Sequence, residues 1–238
     1  FIFIFMKKYF KVNNYLNYFK EKINCLIKYQ KTYSQTGEDL ILNILLKSKK
    51  SGFYVDVGAN DPKKNNNTFL FYKNGWSGIN IEPNIKKIDL FKKKRKRDLN
   101  LNFGIGTANG DLKFYIFNVD TLSTFSKKVA NDYVSMGHKI LDIKKIKVLS
   151  LKSILDKYLN SRNIDFLSVD TEGNDLDVLK SNDWDKYRPN FLIIETLEYK
   201  KDDSGKKLNN LYDAYLDNLG YGKIAETYIN TIYYDKNR

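Results

Sequence analysis

The sequence predicts an α/β fold with a doubly wound, mostly parallel sheet and helices on both of its faces. Short runs rich in Val, Ile and Phe alternate with amphipathic segments of helical period along most of the chain, and such alternation is typical of parallel α/β sheets. The runs at 165–170 and 191–195 are almost continuously apolar, as in strands that are buried on both faces. No internal repeat or Pro-, Gly- or Ser-rich linker interrupts the pattern, so we expect one domain at 33–238 after an N-terminal arm at 1–32.

The N-terminal arm combines basic residues with apolar ones. Apolar residues recur at helical spacing between positions 19 and 27, which predicts a helix packed on the main domain. The alternative is a basic amphipathic helix that makes a peripheral contact with a membrane surface. Met6 begins a plausible N-terminus, so residues 1–5 are expected to lie upstream of the true start or to belong to a truncated end.

The first helix of the main domain is predicted at 34–47. Thr36 and Asp39 have the spacing of a capping box, with Asp in the position of the usual Glu. Apolar residues then follow at helical period from Leu40 onward. This segment is therefore interpreted as a helix whose start is set by local side-chain chemistry.

The remaining elements follow from β-rich runs, helical periodicity and turn residues such as Gly75 and Gly220. Strands are predicted at 52–57, 78–82, 99–105, 112–117, 146–151, 165–170 and 191–195. Helices are predicted at 68–74, 85–94, 151–159, 176–179 and 208–219. The final runs, 221–227 and 228–235, are expected to pair as antiparallel strands.

Two neighbouring strand ends carry polar residues suited to a ligand. Asp56, Gly58 and Asn60 end the first strand, and Glu82 ends the second. In open α/β sheets ligands bind beyond the carboxyl ends of the strands. Gly58 can adopt a positive φ and bring the backbone close to a ligand, while a carboxylate can accept both hydroxyls of a ribose. These residues indicate a nucleoside pocket, the alternative being an ordinary strand–turn–helix with an incidental glutamate.

The turn after the first strand does not suit a pyrophosphate. A dinucleotide site needs G-x-G-x-x-G, whereas Asn60 and Lys63 stand here where the later glycines would be. S-adenosylmethionine has no phosphate and carries a cationic sulfonium. It is therefore the nucleoside cofactor that this acidic turn favours.

Five ordered blocks of the sequence resemble the FkbM-type methyltransferases. They span about residues 33–197 and read YSQTGEDLIL, GFYVDVGANDP, NTFLFYKNGWSGINIEPN, LNLNFGIG and IDFLSVDTEGNDLDVLKSNDW. The resemblance implies a class I, Rossmann-like methyltransferase fold, with a seven-stranded sheet whose last strand is antiparallel. It also implies an S-adenosylmethionine-dependent enzyme, usually an O-methyltransferase, often in glycan or natural-product pathways.

The resemblance also assigns roles to residues at matching positions. Asp56, Gly58, Ala59 and Asn60 would form the cofactor loop, and Glu82 would hold the ribose. The block at 170–173 would follow the fourth strand of the sheet and face the methyl group.

Acidic residues at the later strand ends are the candidates for chemistry. A sugar hydroxyl is a poor nucleophile when neutral, so a nearby base would assist methyl transfer. Asp170 or Glu172 is the expected base or substrate anchor, although both could instead cap the following helix. Glu195 is a weaker candidate. His138, in a stretch expected to be irregular, has a side chain suited to proton transfer but could equally be surface decoration.

Further residues have weaker indications. Gln35 and Glu38 could reach the cofactor from the first helix start, or simply cap that helix. Ser123 and Thr124 could donate hydrogen bonds to a substrate from a lid, or form a turn.

The sequence assigns no metal ion. Cys25 and His138 are the single cysteine and histidine, so a Cys-built zinc site, a His-pair centre and an intramolecular disulfide are excluded. Asp170, Glu172 and Glu195 could hold Mg²⁺, but their spacing does not require it. A single cysteine suits a reducing cytoplasm, where we expect the protein, and no apolar run reaches the about 18 residues of a membrane helix.

The charge favours no single partner. A net charge of +13 invites nucleic acid, anionic membrane or phosphorylated glycan, but abundant Lys, Asn, Ile and Tyr also indicate compositional bias. The basic run 92–97 is interpreted as a solvated helix end, the alternative being a phosphate-binding patch. Base N-methyltransferases commonly carry Asn/Asp-Pro-Pro-aromatic where this chain has Asp-Thr-Glu-Gly. We therefore expect a glycan or small-molecule acceptor, with a nucleic-acid methyltransferase or binder, or a non-catalytic α/β module, as alternatives.

Overall fold

The computed structural model describes residues 31–199, 205–207 and 209–238. In chain order its strands are β1 (Phe53–Val57), β2 (Ser77–Ile81), β3 (Leu99–Leu101), β4 (Gly104–Ile105), β5 (Gly110–Phe117), β6 (Ile140–Leu149), β7 (Phe166–Val169), β8 (Phe191–Glu195), β9 (Leu197–Tyr199), β10 (Gly205–Lys207), β11 (Tyr221–Glu226) and β12 (Asn230–Asp235). Its helices are α1 (Glu38–Leu45), α2 (Phe69–Lys73), α3 (Ile85–Lys94), α4 (Lys127–Ser135), α5 (Leu151–Tyr158), α6 (Asp175–Lys180) and α7 (Asn209–Asn218). A 3₁₀ turn spans Asp120–Leu122.

The main sheet has seven strands in the order β11-β12-β8-β7-β1-β2-β3. Strands β3, β2, β1, β7 and β8 pair in parallel, and β12 pairs antiparallel with both β8 and β11. This confirms the mostly parallel seven-stranded sheet whose last strand in the chain is antiparallel. The strand order reverses between β1 and β7, where a crevice forms at the carboxyl ends.

Apolar side chains cover both faces of this sheet. On one face Val55 and Val57 of β1 belong to a cluster that includes residues of α5, α6 and α7. On the other face Tyr54 of β1 belongs to a cluster that includes residues of α1 and α2. Because alternate residues of one strand enter different clusters, β1 is buried on both sides, as its nearly continuous apolar sequence predicts.

A smaller sheet of β4, β6 and β5 stands beside the main one. The sequence predicts one strand over 99–105, but the chain leaves the main sheet after Leu101 and β4 pairs with β6. The amide of Asn102 donates to the carbonyl oxygens of Glu82 and Pro83, both at 2.8 Å, and so holds the chain at the point of divergence. The prediction of one continuous strand is therefore wrong.

The start of α1 differs from the predicted capping box. The N-cap is Gly37, with a φ of +96°. The carboxylate of Asp39 accepts hydrogen bonds from Thr32, from the backbone of Tyr33 and from Ser34. Thr36 donates to Glu38. The capping-box prediction is wrong, because hydrogen bonds to other nearby residues engage the side chains of both Thr36 and Asp39.

The stretch before β6, expected to be irregular, contains α4. Ser126 caps this helix by accepting from the backbone N–H of Val129 at 3.3 Å. Ala130 and Tyr133 of the same helix are buried with Phe117. Polar residues lie between these apolar ones in the sequence, so the helical period is difficult to recognise. One buried apolar stripe stabilises the helix.

The basic run 92–97 contains a buried cation. Arg95 is fully buried, with Nε 2.9 Å from Asp98 and further hydrogen bonds to Tyr54, Thr68 and the carbonyl of Pro62. The four lysines of the run are exposed. The interpretation as a solvated helix end therefore holds for the lysines and is wrong for Arg95, whose partners lie in other elements.

The N-terminal helix predicted within 6–31 falls almost entirely on residues outside the described part of the chain. Residues 32–238 form one compact unit. Among the described residues, no helix combines the length and the apolarity that crossing a membrane requires.

Substitution of Arg95 by Met should destabilise the protein strongly. It leaves Asp98 buried without its cation, and breaking a buried ion pair costs about 3–5 kcal/mol. Lys94→Met, one residue away and exposed, is the control and should change the free energy of unfolding by less than about 0.5 kcal/mol. Urea unfolding measures both, and equal effects would contradict the structural role of Arg95.

Candidate functional site

A cavity opens at the carboxyl ends of β1, β2, β7 and β8. Its walls include Gly58, Asn60, Glu82, Asp170 and Glu195. The sequence places these residues in separate blocks, and the parallel strand pairing brings them to one edge of the sheet. The cavity therefore lies where the reversal of strand order predicts a ligand site.

Gly58 joins the ends of β1 and β7. Its φ is +81°, and a Cβ built on it would lie 1.7 Å from the carbonyl oxygen of Asp170. Its N–H donates to the carbonyl of Ile81 at 3.0 Å. A side chain at this position would therefore push apart the two strand ends that form the floor of the cavity.

Glu82 is held by backbone N–H groups. Its Oε2 accepts from Asn60 at 2.9 Å and its Oε1 accepts from Asn84 at 2.7 Å. Burial raises the pKa of Glu82 to about 7, against the lowering effect of these two hydrogen bonds. Each oxygen retains acceptor capacity, so the carboxylate can accept a pair of ligand hydroxyls from the cavity.

The two other residues of the predicted cofactor loop have side chains behind the cavity wall. The carboxylate of Asp56 accepts from Asn66 at 3.1 Å and from Thr68 at 2.9 Å. Ala59 is buried against Ile88 and Phe91 of α3. The structure thus brings Gly58 and Asn60 to the cavity and places the side chains of Asp56 and Ala59 in the support beneath it.

Three carboxylates meet on the opposite wall. Asp170, Glu172 and Glu195 each present an oxygen within 4.8 Å of the others. Burial, with the charge of Asp175, raises the pKa of Asp170 to about 7. Burial and the charge of Asp170 raise the pKa values of Glu172 and Glu195 well above the ordinary range. Near neutral pH this acidic cluster therefore retains protons and can both accept and donate one.

The structure gives neither Asp170 nor Glu172 the alternative role of a helix cap. The N-cap of α6 is Asn174, whose side chain makes no capping hydrogen bond. The carboxylate of Asp175 accepts from the N–H of Thr171 at 2.8 Å and from the N–H of Gly173 at 3.3 Å, both in the loop before the helix. Asp170 and Glu172 both line the cavity.

Glu172 is positioned by two residues of the segment that contains α4. Tyr133 donates its hydroxyl proton to Oε2 of Glu172 at 2.6 Å, and Thr124 donates to its backbone carbonyl at 2.8 Å. The backbone of Glu172 has a φ of +52°, which is unfavourable for a residue with a Cβ. Thr124, interpreted from the sequence as a substrate donor or a turn residue, therefore holds Glu172 in place.

Sequence reasoning missed Tyr133. The spacing of Val129 and Tyr133, four residues apart, places both on one face of a helix. The sequence pattern did not predict that helix, so Tyr133 was not assigned to the site.

The remaining candidates divide between the cavity and its surroundings. Gln35 and Ser123 line the cavity. Glu38 is fully buried and accepts from Thr227 at 2.7 Å and from Asn230 at 2.9 Å. His138 lies away from the cavity, with its ring edge-on to Tyr133 at a centroid distance of 6.1 Å. The structure therefore gives His138 no direct route to a reacting group in this cavity.

The outer wall comes from the smaller sheet and the 3₁₀ turn. Phe114, Phe125 and Asp120 line it, and Nζ of Lys87 on α3 lies 2.5 Å from a carboxylate oxygen of Asp120. Sequence reasoning missed Lys87 and these aromatic residues, because their place in the wall depends on how the smaller sheet stands against the main one.

The acidic cluster also has the ligand chemistry of a cation site. Carboxylate oxygens are the ligands that Mg²⁺ prefers, and these three lie close enough to share one ion. The same arrangement can share protons instead, as the raised pKa values of the three groups indicate.

The sheet order and the cavity at the strand ends place the chain among Rossmann-like α/β proteins with a cavity at a switch in strand order. Within that class it belongs to the FkbM methyltransferases: the family described as "Methyltransferase FkbM domain" matches residues 56–222. No curated protein matches the chain. The family membership confirms the resemblance of the sequence and identifies the protein as a methyltransferase.

Gly58→Ala should destabilise the protein more than Gly75→Ala. Both glycines have a positive φ, +81° and +94°, but a Cβ at Gly75 meets nothing within 4 Å. The control therefore carries only the backbone cost of about 1 kcal/mol, and Gly58→Ala adds the collision with Asp170. Thermal unfolding of both variants measures the difference, and equal shifts would show that the two strand ends can separate freely.

The stability contributed by Glu82 should fall as the pH rises. Its folded pKa of about 7 lies above the ordinary 4.5, so the folded protein binds more protons between these values than the unfolded chain does. The contribution of Glu82 to the free energy of unfolding is on the order of 3 kcal/mol. It is fully present below about pH 4.5 and is lost as the pH rises to about 7. Glu82→Gln should flatten the pH dependence of the free energy of unfolding in this window, and an unchanged slope would contradict the burial of the charge.

Proposed function

We propose that the protein is an S-adenosylmethionine-dependent O-methyltransferase that acts on a hydroxyl of a glycan or a related small molecule. The observation that carries this proposal is the carboxylate of Glu82, held by two backbone N–H groups at the end of β2 beside the turn of Gly58. That arrangement offers acceptors for a pair of ribose hydroxyls at the place where the family binds its methyl donor.

The residues of the cavity fit this cofactor. Because Gly58 has no side chain, the ends of β1 and β7 can approach each other, and Gly58 lines the cavity with its backbone. A cationic centre in the cavity would lower the raised pKa values of the acidic cluster and so favour its ionised form, which then supplies negative charge beside that centre. When bound, the cofactor supplies a methyl group already activated on a positively charged sulfur.

The chain's own contribution to the reaction is positioning and proton transfer. Alignment of an acceptor oxygen with the methyl carbon supplies much of the rate in such a transfer. Asp170, with a pKa of about 7, is suited to accept the hydroxyl proton near neutral pH. Tyr133 and Thr124 keep Glu172 beside it as an anchor for the acceptor.

Methylation of nucleic acid is the second candidate, motivated by the net charge of +13. The exposed lysines of the run 92–97 suit a phosphate backbone. The cavity itself presents carboxylates, which repel phosphates at the point of reaction. The O-methyltransferase proposal therefore has the stronger support.

Calorimetric titration with S-adenosylhomocysteine tests the cofactor assignment. Wild-type protein should bind, and Glu82→Ala should lower the affinity at least about tenfold, or about 1.4 kcal/mol, because the ribose hydroxyls lose their acceptor. Asp89→Asn is the control, because the carboxylate of Asp89 on α3 is exposed to solvent and is not part of the cavity wall. The proposal fails if wild-type protein does not bind, or if Glu82→Ala and Asp89→Asn bind equally well.

A further inference from the structure

A second cavity adjoins the first one. It lies between α4, the segment that leads into α6, and the first turns of α7. Glu172 and Glu195 line both cavities, so the two cavities meet at these two carboxylates. A group that enters the second cavity therefore meets the acidic cluster beside the first cavity.

The second cavity is acidic in a basic protein. Among the residues that the structure describes, five carboxylates line it, those of Asp132, Glu172, Asp175, Asp177 and Glu195, against the single cation of Lys128. The chain as a whole carries a net charge of +13. Since the pKa values of Glu172 and Glu195 are raised, the repulsion comes chiefly from Asp132 and Asp177, whose exposed carboxylates outnumber the ammonium group of Lys128. Like-charge juxtaposition therefore disfavours an anionic ligand here.

The rest of the lining suits a sugar. Val129, Leu176, Leu197 and Tyr212 provide apolar surface. Nδ2 of Asn174 is buried without a hydrogen-bond partner among the described residues. A lining that combines apolar surface, carboxylate acceptors and the side-chain amide of Asn174 suits a ligand that both donates and accepts hydrogen bonds, which a ring with several hydroxyls does.

We propose that the second cavity is the acceptor site, and that it selects sugars that are uncharged or carry an ammonium group over sugars that carry phosphate or carboxylate. This inference rests on the proposed function and deepens it by assigning the class of acceptor. In the transfer, the acceptor oxygen forms a bond to the methyl carbon as the carbon–sulfur bond breaks. The hydroxyl proton moves to a carboxylate oxygen of the acidic cluster, and neutral S-adenosylhomocysteine leaves.

The test compares four monosaccharides with similar rings in the presence of S-adenosylhomocysteine. Saturation-transfer NMR with methyl glucoside, glucosamine, glucose 6-phosphate and glucuronate reports which of them contact the protein. We expect the first two to bind and the two anionic sugars to bind at least about tenfold more weakly. Equal binding of all four, a reversed order, or binding of none overturns the inference.

A double charge-reversal variant tests whether the selectivity between sugars arises in this cavity. Asp132→Lys combined with Asp177→Lys should remove the preference for glucosamine over glucose 6-phosphate. Asp111→Lys combined with Asp217→Lys makes the same net charge change at exposed positions that belong to neither cavity wall, and should leave the preference unchanged. Selectivity that survives the first pair overturns the inference.

The inference and the proposed function fail separately. If S-adenosylhomocysteine binds in calorimetry but the sugars show no discrimination, the cofactor assignment stands and the acceptor assignment falls. If S-adenosylhomocysteine does not bind, the proposed function falls whichever sugars bind.

Discussion

The buried ion pair of Arg95 and Asp98 supports the architecture around the site. Arg95 donates to Thr68 and to the carbonyl of Pro62, both in the segment between β1 and α2. Asp98 accepts from the backbone N–H of Gly78 at 2.9 Å. Two charges in an apolar interior are tolerated only when their hydrogen bonds are complete. The hydrogen bonds of this ion pair therefore connect β1, β2 and the segment after β1, which leads from the cavity floor.

The site itself concentrates negative charge within a positively charged chain. Glu82 stands on one side of the main cavity, and Asp170, Glu172 and Glu195 stand on the other. Burying so many carboxylates opposes folding, as their raised pKa values express. Groups with strongly shifted pKa values cluster at functional sites, and the proposed transfer from a cationic sulfur, which releases a proton, would use both the charge and the proton acceptors.

The elements that sequence reasoning placed well are those with a strong local signature. Helix α3 was predicted at its observed bounds, and β8 likewise, because the first has clear helical period and the second is a short apolar run between turn residues. Helix α4 was not predicted, because its one buried apolar stripe packs against residues outside the helix. The strand at 99–105 was predicted as continuous, because its division depends on pairing with β6, which is distant in the chain.

Local pattern was sufficient to establish most of the strands and helices, the turn at Gly58 and the acid at the end of β2. Parallel strands bring their carboxyl ends to one edge, so the pattern also indicated where the site lies. The three-dimensional fold was required to bury Arg95, to turn the side chain of Asp56 away from the cavity and to join Tyr133 to Glu172. Those outcomes depend on partners that lie 41, 10 and 39 residues away. Burial and distance between such segments are properties of packing, which the periodicity of a single segment does not contain.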